Sequence, residues 1–166
     1  MVFRLMPEES YLLIDAYNVI YATDELREVL RENLDAARDR LTEMVASIHD
    51  AEGVRTALIL DSRNSSLEVD HPFGNKTFEW IYAPAGLSAD GVIERIVARV
   101  SNPSGVTVVS HDNMVRESIR ANGAMAMTPK ELFGWARACD TRLEQDAQRR
   151  RKANTREWQN GLEIDL

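Results

Sequence analysis

Asp15, Asp61 and Asp112 each close or directly follow a short apolar run, in YLLID, RTALILD and GVTVVSHD. Runs of this kind, bounded by turn residues, read as strands buried on both faces. In an open parallel sheet all strands direct their C-terminal ends at one edge, where ligands bind at the topological switch point. The three aspartates therefore share an edge. Asp90 joins them if a helix opens at Ser88, and Glu94, one turn later, lies on the same helix face. Carboxylates gathered in this way repel one another and stay ionised only around a cation. A set of hard oxygen ligands without a His and Cys cluster suits Mg²⁺ or Mn²⁺ better than Zn²⁺. Such an ion activates water and neutralises charge that develops on a phosphate, so phosphodiester hydrolysis is the leading chemistry. Asn18, with both a donor and an acceptor, is placed to orient a water or a phosphate oxygen. The bland alternative is that each aspartate starts a turn or caps a helix. Asp61, followed by SRNSS, fits that alternative best.

The elements that must hold these groups alternate along the chain. After the first strand, Leu34, Ala37, Leu41, Met44, Val45 and Ile48 recur at helical spacing, and Gly53 ends the pattern. Asn33 is a natural N-cap, dividing a short helix over about 24–31 from a longer one to about Ala51. SRNSSLEVDHPFGNK reads as an irregular loop and TFEWIYA as a third strand. Ser88 caps SADGVIERIVARVS, GVTVVSHD is a fourth strand, a helix follows to about Ala121, and AMAMT is a short fifth strand. Thr128, Pro129 and Glu131 form a capping box with proline at the first helical position of a long last helix. Strands alternating with helices imply an α/β three-layer sandwich with a mainly parallel five-stranded sheet. Residues 1–153 read as a single domain, and 154–166, where the helical pattern fades, as a tail.

Composition narrows the partners. The 166 residues carry a net charge of −7, which argues mildly against a polyanionic ligand. Between Arg137 and Arg156, however, seven basic residues face three acidic ones, a local net of +4 that leaves −11 elsewhere. A basic stretch on an acidic body is either a nucleic-acid contact or a solvated helix face. The start, MVFRLMPEES, has no apolar segment of signal-peptide length, and the single cysteine, Cys139, forms no intrachain disulfide, so a cytosolic protein is expected. P-loop and dinucleotide glycine fingerprints are absent.

Taken in order, IDAYN, LILD, SADGVIERI, VVSHD and GAMAMTPKEL resemble the YacP-like branch of the NYN domain family, metal-dependent ribonucleases related to PIN domains. The likeness covers about residues 10–140. It implies a PIN-like sheet of order 3-2-1-4-5 and an acidic pocket that cuts RNA, with Asp15, Asp90 and Asp112 holding Mg²⁺ or Mn²⁺, Glu94 as a further ligand and Asn18 in support. It further implies messenger RNA and the ribosome as partners. Ala16 stands where the family usually has glycine, Gly91 where many members have a second acidic residue, and His111 where they have Ser or Asn. His111 is expected beside the site as a packing or phosphate-facing residue. Arg38 matches an arginine often seen in the family and is either a phosphate contact or an exposed helical arginine. Lys76, in the loop over 71–76, and Arg149, Arg150, Arg151 and Lys152 are expected to guide RNA. Two other readings stand beside the nuclease. One is an RNA- or ribosome-binding module with weak or no activity, for which Gly91 speaks. The other is a small-molecule phosphohydrolase, whose Asp-x-Asp nucleophile pattern is missing because Ala16 and Tyr17 follow Asp15. The oligomeric state, a homodimer included, is left open.

Overall fold

The apolar runs form strands that are buried along nearly their whole length. β1 (Tyr11–Asp15) is buried at all five positions, and β2 (Arg55–Asp61) at the five between its ends. With β4 (Phe78–Ala83), β5 (Val106–Val109) and β6 (Met125–Met127) they make a parallel sheet. The computed structural model describes residues 10–62 and 64–164, with side chains to Asn160. The opening MVFRLMPEE and the last two residues of the expected tail lie outside the described residues.

The full order is β3-β4-β2-β1-β5-β6, in which β3 (Glu68–Asp70) pairs antiparallel with β4. The five expected strands therefore stand in the order 3-2-1-4-5, and the correction is a sixth strand at the edge. Its three residues lie in the stretch read as loop. Val69 packs against the core between exposed Glu68 and Asp70, but three residues are too short to announce a strand without the ladder to β4.

Alternate side chains of each strand enter separate cores. Leu12, Ile14, Leu58, Leu60 and Phe78 pack under α1 (Ala16–Ala22), α2 (Asp24–Glu32), α3 (Leu34–Glu52) and α6 (Pro129–Ile164). Leu13, Ala57, Ile59, Ile81 and Val108 pack under α4 (Ala89–Arg99) and α5 (Asn113–Ala121). This is the three-layer arrangement that the strand and helix alternation implies.

Local bonds set the helix starts where the sequence places them. The Asn33 side chain accepts from the Ala36 N–H at 3.1 Å, and Ser88 Oγ from the Gly91 N–H at 3.3 Å. Thr128 Oγ1 accepts from the Glu131 N–H at 3.2 Å and bonds the Glu131 carboxylate at 3.1 Å. Gly53 closes α3 in the left-handed region, at φ 67°, where a side chain would be strained. α1, by contrast, has no counterpart in the sequence reading.

The last helix is longer than its apolar pattern. α6 starts where β6 ends, at the C-terminal edge of the sheet, and crosses α3. There Trp135 Nε1 and Arg142 Nη2 both donate to Glu52 Oε1, at 3.3 and 2.8 Å. Glu52 is the final residue of α3, at the opposite edge. Beyond that crossing the helix leaves the body: every residue from Glu144 to Asn160 is exposed, Trp158 at 73%. At 1.5 Å per residue this is a projection of about 25 Å. The segment read as a tail from residue 154 is thus helical through Ile164. No helix among the described residues is long and apolar enough to cross a membrane.

Candidate active site

Asp15 ends β1 and is 8% exposed, among the few charged side chains of the interior. Burial, and after it the charges of Asp90, Asp61 and Asp112, push its carboxyl up from 3.8 to about 7, offset in part by the backbone N–H of Asn18. The four aspartates expected at one edge are therefore within electrostatic reach of one another, centred on the most buried of them. β1 is also the switch point of the sheet, because the chain runs from β1 outward through β2 to β4 and then returns to β5 on the other side. Asp15 lies at the mouth of that crevice, where open α/β sheets bind ligands.

The neighbouring carboxylates also have structural work. Asp61 Oδ1 accepts from the Ala89 N–H at 3.0 Å, tying the end of β2 to the start of α4. Asp112 Oδ1 accepts from the N–H groups of Met114 and Val115, at 2.9 and 3.4 Å, and so caps α5. Asp90 is half-buried in the first turn of α4 and Glu94 is exposed one turn on. Among the described residues no three His, Cys, Asp or Glu side chains are gathered closely enough to hold a metal ion. The donor chemistry nevertheless fits a hard divalent cation. Every candidate ligand is a carboxylate, and the buried one carries a proton affinity that burial first and like charges second have raised and that a cation would lower.

Asn18 is engaged within the protein through its amide oxygen. Its Oδ1 accepts from the His111 N–H at 2.7 Å and from Ser110 Oγ at 3.4 Å, while Ser110 Oγ itself accepts from the Asp112 N–H at 3.1 Å. The amide oxygen is thereby a clasp that holds the loop after β5 against the start of α1. Arg116, which sequence reasoning passed over, closes the same loop: Nη1 donates to the Ser110 carbonyl at 2.8 Å and Nη2 to Asn113 Oδ1 at 3.3 Å. Its position one helical turn after Asp112 was the available signal. Asn18→Ala should lower stability by about 1 kcal/mol, since one half-buried acceptor serving two donors is lost. For a chain of this size that is about 2–4 °C in a thermal melt. A melt unchanged within error would show that the clasp holds nothing.

Arg38 is not an exposed helical arginine. Its side chain is 18% exposed, its guanidinium lies 4.2 Å from the centroid of the Trp80 ring, and Asp35 and Asp39 pair with it at 3.4 and 3.1 Å. The Trp80 indole N–H donates to Thr42 Oγ1 at 3.1 Å, which fixes the ring.

The remaining basic residues are not at the carboxylate edge. Lys76 is exposed just before β4, and the loop that carries it meets the start of β2 through the Thr56 N–H to Thr77 carbonyl bond of 2.9 Å. A loop that enters a parallel strand lies at the sheet edge opposite its aspartates, and β4 separates the two by about 20 Å. Arg149, Arg150, Arg151 and Lys152 lie on the projecting part of α6, which has already passed Glu52. The structure thus sets Asp90 and Asp112 within electrostatic reach of Asp15, bonds Asn18 to the loop before Asp112, holds Arg38 on Trp80, and sets Lys76 and the basic run elsewhere.

Comparison with known proteins identifies the family and the fold. The family model described as YacP-like NYN domain matches residues 12–165. The curated "Uncharacterized protein YacP" of Bacillus subtilis (strain 168) is 26% identical over 135 residues, which cover 80% of this chain and 78% of that one. The crystal structure of Rae1 (YacP) from Bacillus subtilis matches with a TM-score of 0.71 at 21% identity, over 88% of this chain and 84% of the other. The crystal structure of a tryptophan-to-leucine mutant of the same Bacillus subtilis protein matches with a TM-score of 0.70 at 23% identity, over 86% and 84%. At these identities the two structures establish a shared fold.

Proposed function

Because the chain belongs to the YacP-like NYN domain family, a nuclease-like domain of PIN-like fold, we propose that it is a metal-dependent endoribonuclease that hydrolyses RNA phosphodiester bonds. The observation that carries this reading is the buried Asp15 at the switch point, with Asp90, Asp61 and Asp112 acting on it. Asp15, Asp90 and Asp112 would hold Mg²⁺ or Mn²⁺, with Glu94 as an outer ligand. When bound, such an ion supplies charge neutralisation at the phosphate and a more acidic water. Asp15, kept from solvent, provides a carboxylate whose proton leaves once positive charge arrives. Asn18, Ser110 and Arg116 hold the loop that presents Asp112. Arg38 takes part in RNA contact at this edge, and Lys76, Arg149, Arg150, Arg151 and Lys152 extend contact to distant parts of the substrate. Messenger RNA presented by the ribosome, in the cytoplasm, is the substrate that the family likeness suggests.

Gly91 favours a second reading, a binding module with weak or no turnover. A Cβ at this position would stand 2.8 Å from Leu87 Cδ1 and 3.2 Å from Ser88 Oγ, so the acidic residue many relatives carry there requires Leu87 to move. Incubating the purified protein with single-stranded and structured RNA, with and without Mn²⁺, separates the two. The nuclease reading expects Mn²⁺-dependent fragments that disappear in Asp90→Asn. RNA retained on the protein without fragments, at any metal concentration, supports the binding module instead.

A further inference from the structure

On the α3 side of the sheet, toward its C-terminal edge, four flat side chains lie in one neighbourhood. Trp80 and Tyr82 stand opposite Leu58 and Leu60 in the β2–β4 ladder and share their face. Tyr82 is the last aromatic before the C-terminal edge, and Leu60, opposite it, precedes Asp61. Tyr17 follows Asp15 by two residues in the first turn of α1. Arg38 lies over Trp80 from α3. The Tyr17 phenol has as its electrostatic neighbours Arg38, Tyr82, Asp35 and Asp61, and burial ahead of these raises its pKa. None of the four side chains is fully buried.

The charges in this patch decide what it can take. Arg38 is compensated by Asp35 and Asp39, so the patch offers a phosphate no surplus of positive charge. It offers planar surfaces, of which the Arg38–Trp80 pair is held by Asp35, Asp39 and Thr42, with the Tyr17 and Tyr82 phenols and the carboxylate of Asp61 toward the sheet edge. An uncharged planar ring that carries amino donors matches these features, and in an RNA that ring is a base. We propose that Tyr17, Arg38, Trp80 and Tyr82 form a stacking subsite for the nucleobase next to the phosphate that is cut. This rests on the ribonuclease reading for the position of the cut. Arg38 serves there by its plane rather than its charge, a distinction lysine cannot reproduce.

The test uses single-stranded oligoribonucleotides of one length and sequence, each lacking one base, bound to the Asp15→Asn protein and followed by anisotropy of an end label. Wild-type cleavage of the parent strand marks the cut. One abasic position beside the cut should weaken binding by about tenfold to hundredfold. That step should vanish when Tyr82→Leu, Tyr17→Leu or Arg38→Lys is added, and persist with Tyr82→Phe, each variant being checked for folding by circular dichroism. A flat abasic profile overturns the subsite, as does Arg38→Lys binding normally where Arg38→Ala does not, which would mark a phosphate contact. Cleavage with a flat profile removes the subsite and leaves the nuclease standing. A step in the profile without cleavage by the wild type does the reverse.

Discussion

Asp15→Asn should abolish RNA cleavage, by at least about a hundredfold, while the protein melts at or above the wild-type temperature at neutral pH. The two halves of this expectation have one cause. The folded protein raises the Asp15 carboxyl from 3.8 to about 7, through burial first and then through Asp90, Asp61 and Asp112. Between those values the folded state binds a proton that the unfolded chain has already released, so stability falls as pH rises through that window. A shift of this size corresponds to at most ~4 kcal/mol. Asparagine imitates the protonated acid at every pH and removes the repulsion. Metal-free wild type should therefore lose melting temperature between pH 5 and pH 8, and the variant should lose less. Mn²⁺ should restore the wild type at pH 8 and leave the variant where it was. Melts in a pH series with and without Mn²⁺ measure all of this. An equal pH slope in both proteins, or full cleavage by the variant, would remove Asp15 from the centre of the site.

At the opposite edge of the sheet, Arg55→Met should cost about 3–5 kcal/mol, read as the midpoint of urea unfolding. Glu79 is buried, with a side chain only 5% exposed, and Arg55 Nη2 donates to its Oε1 at 2.6 Å. The His71 ring Nε2 lies farther from that oxygen, at 3.8 Å. Taking away the arginine leaves a carboxylate in the interior without its close partner, which is far worse than having neither group. The double variant Arg55→Met/Glu79→Met should accordingly recover most of the loss. If the single and double variants unfold at the same midpoint, the pair is not the source of the stability.

How far the sequence led depends on whether a feature is local. Asn33, Ser88 and Thr128 cap helices through bonds that span only three residues, and those are visible in any short window. The aspartates at strand ends were legible for a related reason, because strand direction alone sends them to one edge. The same rule, applied to Lys76, would have placed it at the other edge. α1 was missed because AYNVIYA, with its two tyrosines and β-branched Val19 and Ile20, reads as more strand. The far half of α6 was missed because amphipathic periodicity marks only helices that bury a face, and this part buries none. The stack of Arg38 on Trp80 joins residues 42 positions apart, so no spacing in the sequence announces it.

The long reach of α6 gives the molecule two electrical poles. Negative charge gathers at the mouth of the sheet, while Arg149, Arg150, Arg151 and Lys152 sit out on a mast, about 30 Å along the helix from its first residue. A polyanion drifting past would be drawn to the mast and turned away from the mouth. On the proposed ribonuclease reading, only an RNA long or folded enough to span the gap would engage both poles.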